Sequence, residues 1–360
     1  MRKIYCFHLL NDFSGSPKVL SQLIKGWIKN GYEVHLSTSL SRDGFLSNIE
    51  GLHYHDNAYQ FRKNKILRLF MLLYSQLNCL IKFSKRIAKD DVIYINTVLP
   101  FGAGVLGKLK GIKVIYHIHE TSITPVLLKH FLFGLAKWTA DKAIFVSNFL
   151  AEQESGFKNQ VVLYNAIGDD FLERAQSHLP EERKVKNILM ICSLKKYKGV
   201  DEFWALAQSC PKYSFRLVVN ASEEEIGAYF KDVDLPTNIE VFPTQKDVHP
   251  FYQWSDVVLN LSRTDEWLET FGLTVIEAGA YGKPVVVPPK GGIAELVEEG
   301  IHGYKINGHD RNEISKKLNE LSRNEDLYEK MRVKVLGNVK LFSEKAFIQK
   351  SINLIDGKFI

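Results

Sequence analysis

Cysteine is scarce in this chain: four residues in 360, at positions 6, 79, 192 and 210, with no Cys-x-x-Cys pair and no histidine cluster beside them. Such spacing builds neither a disulfide framework nor a zinc site, so reduced thiols in a cytosolic protein are expected. Long apolar runs are missing too. No segment approaches the roughly 20 apolar residues that span a bilayer. The opening Met1-Arg2-Lys3-Ile4-Tyr5-Cys6-Phe7-His8 is broken by His8 and stopped by Asn11-Asp12, so it reads as a buried strand rather than a signal peptide. The turn after the first strand, Asp12-Phe13-Ser14-Gly15-Ser16-Pro17, is not Gly-x-Gly-x-x-Gly, so the dinucleotide fingerprint of a NAD-dependent dehydrogenase is not expected there. Low-complexity tracts and short-period repeats are absent as well. One sign of charge is absent over a long stretch: no acidic residue lies between Asp56 and Asp90, where Arg62, Lys63, Lys65, Arg68, Lys82, Lys85, Arg86 and Lys89 fall. A cationic block of this kind attracts anionic lipid or nucleic acid. With no nucleic-acid motif beside it and a balanced remainder, nucleic acid is not expected as a partner.

What is present is a globular composition, 45% apolar and 24% charged, long enough for two domains with separate cores. Strands are expected at Ile4–Leu10, Glu33–Ser37, Val92–Asn96, Val114–His119 and Ala143–Ser147, with helices between them, clearest over Lys18–Lys29 and Ile66–Ala88. A short strand at Val161–Tyr164 precedes a polar, charged connector over Glu173–Lys186. Strands resume at Ile188–Ser193, Phe215–Val219, Ile239–Phe242, Val257–Leu261 and Pro284–Val287. Alternating strand and helix implies parallel sheets covered on both faces. In the basic helix, Ile66, Phe70, Leu73, Leu77, Leu80 and Ile81 share one face, with Arg68, Lys82, Arg86 and Lys89 opposite. The apolar face is expected in the domain core. The alternative is a rim helix on anionic membrane, with His130-Phe131-Leu132-Phe133 extending the surface.

The densest chemistry lies at Glu269-Thr270-Phe271-Gly272-Leu273-Thr274-Val275-Ile276-Glu277-Ala278. It follows an apolar strand and opens a helix, the junction at which open α/β sheets bind ligands. Amides at a helix N-terminus favour an anionic group such as phosphate. Glu269 falls in the loop before the helix and Glu277 about two turns into it. One carboxylate can reach a sugar and the other a ribose diol, with a diphosphate between them, which describes a sugar-nucleotide site.

The Glu-x7-Glu pair with Phe271-Gly272-Leu273, Glu277-Ala278, Gly282-Lys283-Pro284-Val285 and Gly291-Gly292, in that order, resembles the signature of the family 4 glycosyltransferases, retaining enzymes of the GT-B fold. The resemblance implies an α/β protein of two facing Rossmann-like domains, with a C-terminal helix crossing back to the first. The expected division is 1–175 for the acceptor side, 176–342 for the donor side and 343–360 for the last helix. Lys195-Lys196-Tyr197-Lys198-Gly199 is similar to the family's diphosphate-gripping segment at Lys198-Gly199. Cys192 and Ser193 stand where the family has Gly and Arg, and Lys195 or Lys196 is a candidate to replace that charge. His119-Glu120, at a strand end, matches a family position near the reacting sugars. His119 can accept the acceptor's proton or hydrogen-bond the donor sugar, and His117 is the competing candidate. Gly15, in Asp12-Phe13-Ser14-Gly15-Ser16-Pro17, matches a glycine-rich loop of the family, and Gly292 a turn lining its donor pocket. Ser147 matches a strand end without a defined role.

The expectation is therefore a metal-independent retaining glycosyltransferase, with His119, Glu269 and Lys198 as catalytic candidates. Glu277, Gly272, Leu273, Lys198, Ser193, Gly15 and Gly292 are the donor-binding candidates. Asp232-Val233-Asp234, in a polar connector, reads as a solvated loop rather than a metal site. A nucleotide-diphosphate sugar serves as co-substrate, with no cofactor. The acceptor is a saccharide or a polyprenyl-linked hydroxyl. The expected setting is cell-surface polysaccharide synthesis in the cytoplasm, with peripheral contact to anionic membrane through 62–89. A GT-B sugar-nucleotide epimerase and a non-catalytic sugar-nucleotide-binding protein are the alternatives.

Overall fold

The computed structural model describes residues 2–177 and 184–358. It divides into two compact units, Met1–Asn165 with Glu344–Ile360, and Ala166–Ser343. In the first unit, β1 (Lys3–Phe7), β2 (Glu33–Thr38), β3 (His53–Asp56), β4 (Val92–Asn96), β5 (Lys113–Ile118), β6 (Lys142–Phe145) and β7 (Gln160–Val162) form a sheet in the order β3-β2-β1-β4-β5-β6-β7. All neighbouring pairs are parallel. In the second unit, β8 (Asn187–Ser193), β9 (Ser214–Asn220), β10 (Ile239–Phe242), β11 (Val257–Leu259), β12 (Val285–Val287) and β13 (Gly303–Lys305) form a parallel sheet in the order β10-β9-β8-β11-β12-β13. Strand order reverses between β1 and β4 in one sheet and between β8 and β11 in the other. Each reversal leaves a crevice at the carboxyl ends of those strands.

Buried runs explain the strands. Val92, Ile93, Tyr94 and Ile95 are all fully buried, as a parallel strand covered on both faces requires. Helix α1 (Gly15–Lys29) turns Val19, Leu20, Leu23, Ile24 and Trp27 inward. The C-terminal helix Glu344–Asp356 packs against α1, where Trp27 Nε1 donates to Ser351 Oγ at 2.9 Å. That helix is part of the first unit, although the rest of its half of the chain is not.

The unit boundary and the faces of one helix depart from the sequence reading. The division falls at Asn165/Ala166, so residues 166–175 belong to the second unit rather than the first. The helix Asp169–Gln176 sits there because Phe171 packs its ring against His249, Tyr252 and Tyr281. The connector expected over Glu173–Lys186 falls in part on 178–183, outside the described residues. Helix α2 (Lys65–Phe83) turns outward the apolar face expected in the core. It packs against α3 (Phe101–Lys110) and buries Leu72, Ser75, Gln76, Cys79 and Phe83, the last against Phe7 of the sheet, while Ile66, Phe70, Leu73, Leu77 and Ile81 are exposed. By length and composition this 19-residue helix, with an 18-residue window of mean hydropathy 1.3, is long and apolar enough to cross a membrane, which corrects the expectation that no segment approaches that length.

At the β2–β3 edge three histidines stack. The His35 ring lies 4.7 Å from His53 and 5.4 Å from His55, and His35 Nδ1 is 3.1 Å from His55 Nε2. Burial holds His55 down at about 4, helped by His35, Arg86 and Lys82. An unfolded histidine titrates near 6.5, so between these values the unfolded chain binds more protons. Stability is retained above pH ~6.5 and lost as pH falls toward ~4. A scan of Tm against pH is expected to show this decline, and His55→Gln to make it shallower.

Candidate active site

The switch point of the second sheet places two loops side by side, one after β8 and one after β11. The first carries Lys198 and the second Glu269. Lys198 Nζ donates to Glu269 Oε1 at 2.6 Å, and Ser262 Oγ donates to the same oxygen at 2.7 Å. Both members of the ion pair are largely buried. Burial pushes the Glu269 carboxyl upward, but the Lys198 charge and the hydrogen bonds from Lys198, Ser262 and Asn260 outweigh it and hold the group below the usual carboxylate range. Lys198 ends a short 3-10 turn, Lys196–Lys198, that Gly199 closes at φ +79°. A Cβ on Gly199 would stand 2.2 Å from the Leu261 carbonyl oxygen, so only glycine lets the two loops approach this closely.

Around this pair, Trp267 stacks on Tyr197 with centroids 5.0 Å apart, and Lys198 Nζ lies 4.7 Å from the Trp267 ring centre. Trp267 Nε1 is buried without a hydrogen-bond partner among the described residues. Arg263 locks the loop in place by donating to Glu202 at 2.8 Å, Glu266 at 2.9 Å and Asp201 at 3.4 Å. Its guanidinium is thus committed to carboxylates. Ser193 ends β8 and is partly exposed, while Lys195 and Lys196 face solvent.

The helix Leu273–Ala280 begins directly after Gly272, beside the same loop. Its first-turn N–H groups point along the axis toward the carboxyl edge of the sheet. Gly292 N donates to the Glu269 carbonyl at 2.7 Å, and a Cβ on Gly291 (φ +104°) would lie 2.6 Å from that carbonyl. Glu277 stands in the helix's second turn, 8% exposed, and accepts from the Tyr252 hydroxyl at 2.7 Å. Lys198, Glu269, Gly272, Leu273 and Gly292 therefore gather at one edge, with Glu277 on the helix they adjoin. Asp232 and Asp234 lie in an exposed loop before β10.

In the first unit, His119 and the Gly15 loop meet at Asn96, which ends β4. Asn96 Nδ2 donates to the Ser16 carbonyl at 3.2 Å, which turns Oδ1 toward His119 Nε2 at 2.9 Å. Oδ1 can only accept, so Nε2 carries the proton. Burial, with His117 and His8 adding, keeps the His119 pKa well below its ordinary value, and the ring is neutral at pH 7. His117 is fully buried, with Nδ1 2.9 Å from the Tyr94 hydroxyl. Glu120 accepts from Val98 N at 2.7 Å and from His119 N at 3.2 Å, and burial pushes its carboxyl up to about 7. Thr97, between these groups, holds φ +73°, a strained value for a β-branched residue.

Comparison with known sequences decides the family. The model for "Glycosyltransferase Family 4" matches residues 13–170, and that for "Glycosyl transferases group 1" matches 170–335. The chain belongs to the family 4 glycosyltransferases. Among similar proteins is an uncharacterised glycosyltransferase of Haemophilus influenzae, 26% identical over 98% of each chain. Another is the N-acetyl-alpha-D-glucosaminyl L-malate synthase of Bacillus anthracis, 24% identical over 88% of this chain and 87% of that one. A 41.2 kDa protein in the cps region of Klebsiella pneumoniae is 28% identical over 63% of this chain and 68% of its own length. The glycosyltransferase shares its GT-B fold with Anabaena HepE, solved in complex with UDP-glucose, at TM-score 0.78, 18% identity and coverage of 99% and 100%. Sucrose-phosphate synthase of Thermosynechococcus elongatus gives TM-score 0.79 at 16% identity, with 99% of each chain covered.

Ser262, Tyr252, Trp267, Arg263 and Asn96 were not singled out in the sequence. Ser262 and Trp267 precede Glu269 by seven and two residues, so the loop after β11 is the available signal. Tyr252 and Asn96 are joined to their partners only by the folded sheets.

Proposed function

We propose that this glycosyltransferase moves a sugar from a nucleoside-diphosphate donor to a hydroxyl of a saccharide or lipid-linked acceptor, with retention at the anomeric carbon. The observation that carries the reading is the buried Lys198–Glu269 pair at a topological switch point, beside the N-terminus of the Leu273–Ala280 helix. In the reaction the bond from the anomeric carbon to the β-phosphate oxygen breaks, leaving its electron pair on that oxygen. A bond to the acceptor oxygen forms, and the acceptor's proton is released. Lys198 and the first-turn amides stabilise the charge that grows on the diphosphate, with no metal required. Glu269, kept ionised, accepts hydrogen bonds from the donor sugar. Glu277, oriented by Tyr252, accepts them from the ribose diol. The orphaned Trp267 N–H is directed to the donor. His119, neutral, serves in the first unit as a hydrogen-bonding group rather than as the base.

The retaining assignment is supported by the resemblance in Glu269-x7-Glu277, and a sugar nucleotide by the UDP-glucose bound to HepE. The Klebsiella relative's place in a cps region supports a polysaccharide setting, on the cytoplasmic side where sugar nucleotides are made. The test is nucleoside-diphosphate release from UDP-, GDP- and dTDP-sugars by purified protein, with and without a saccharide acceptor, and NMR of the product's anomeric configuration. Release that rises with acceptor and gives a retained anomer is expected. Epimerised donor without release assigns an epimerase, and donor binding without turnover a binding protein.

A further inference from the structure

The outward face of α2 exposes a row of large apolar side chains. Ile66, Phe70 and Ile81 are 71, 69 and 70% exposed, and Leu73 and Leu77 between them are about half exposed. Helix α4 (Val126–Thr139) lies on the other side of α3, joined to it by the Phe101–Phe131 ring contact. It adds Val126, Leu127 and Phe131, of which Leu127 is 82% exposed. Both helices begin at the carboxyl edge of the sheet, α2 following β3 and α4 following β5. Their apolar first turns therefore border the rim that carries Gly15 and His119. Around them the chain from 57 to 89 holds cations and no carboxylate.

An exposed apolar helix face in a stretch of chain that carries cations and no carboxylate complements an anionic bilayer surface. A second copy fits less well, because a two-fold contact through the same patch sets the cationic blocks against each other. Spanning fits less well too. Phe83 is 1% exposed and packs on Phe7, and Gln76 Oε1 accepts from Gly102 N at 2.9 Å, so α2 is built into the sheet's covering layer.

We propose that α2 and α4 form a ridge that docks in the interface of an anionic bilayer and sets the His119 rim against the membrane, where a lipid-linked acceptor presents its hydroxyl. Docking stands on the surface alone, and acceptor delivery rests on the transferase reading. The test is flotation with phosphatidylcholine vesicles, with and without phosphatidylglycerol, for the wild type and for Phe70→Asp with Leu77→Asp. Both substituted positions are exposed, and light scattering and donor hydrolysis in solution serve as controls.

Co-flotation with phosphatidylglycerol vesicles that weakens in salt, and falls about tenfold or more in the variant, is expected. Wild type that stays unbound, a variant that floats as well as wild type, or a dimer abolished by the same substitutions would overturn docking. A second arm compares transfer to a polyprenyl-linked acceptor in vesicles with transfer to a soluble saccharide. Loss confined to the vesicle arm in the variant supports delivery, and equal turnover by both proteins in that arm overturns it. A protein that docks but transfers to neither acceptor overturns the transferase reading and leaves docking standing.

Discussion

Lys198→Ala is expected to lower transfer by about 10²–10³-fold, the cost of removing one group that stabilises charge in the transition state. It is also expected to cost stability, because Glu269 loses the ion pair that offsets its burial. An unpaired buried carboxylate costs roughly 3–5 kcal/mol unless it takes up a proton, so the variant should gain stability as pH is lowered through the raised Glu269 pKa. This sign follows from linkage: the folded state then binds the extra proton. Adding Glu269→Gln to Lys198→Ala removes the stranded charge. The double variant should recover most of the stability while transfer stays low. Urea denaturation and nucleoside-diphosphate release, measured on the same three proteins, separate the two effects. Full activity in Lys198→Ala would remove Lys198 from the site.

The second large effect is expected from one methyl group. Gly199→Ala places a Cβ 2.2 Å from the Leu261 carbonyl oxygen at a residue with φ +79°. The clash is with backbone, so relief requires the loops after β8 and β11 to separate, carrying Lys198 away from Glu269. A loss of about 3 kcal/mol or more is expected, which lowers Tm by roughly 6–12 °C in a unit of this size. Gly227→Ala is the matched control. That glycine lies within the helix Glu223–Tyr229, and its added Cβ meets nothing within 4 Å. Alanine there should be neutral or stabilise by up to ~1 kcal/mol. Differential scanning calorimetry of both variants checks the contrast, and equal Tm values would contradict it.

The cluster of Glu269, Gly272 and Glu277 is legible because strand, loop and helix follow one another in sequence at a switch point, so the three are local to one junction. The ion pair between Lys198 and Glu269 joins residues far apart in sequence, and only the adjacency of β8 and β11 brings them together. Periodicity identified α2 as amphipathic and left its apolar face two places, the domain core or an outward rim, and the structure turns it outward. The side that packs on α3 is partly polar, with Ser75 and Gln76 buried and Gln76 accepting from Gly102 N, whereas most of the apolar stripe is exposed. Strand β3 was missed because His53-Tyr54-His55-Asp56 lies at a sheet edge and carries no apolar run. β13 is three residues long and begins with glycine. The unit boundary was displaced because charge in Glu173–Lys186 suggested a linker, while Phe171 anchors the preceding helix to the second unit.

The central claim is that a nucleoside diphosphate binds at the carboxyl edge of the second sheet, between Lys198 and Glu277. Calorimetric titration of UDP, GDP and dTDP into wild type, Lys198→Ala and Glu277→Gln tests it most directly. The account predicts that wild type binds at least one of the three, and that each variant, still folded by circular dichroism, binds it at least about tenfold more weakly. Binding that neither substitution weakens, or no binding of any of the three, would contradict it.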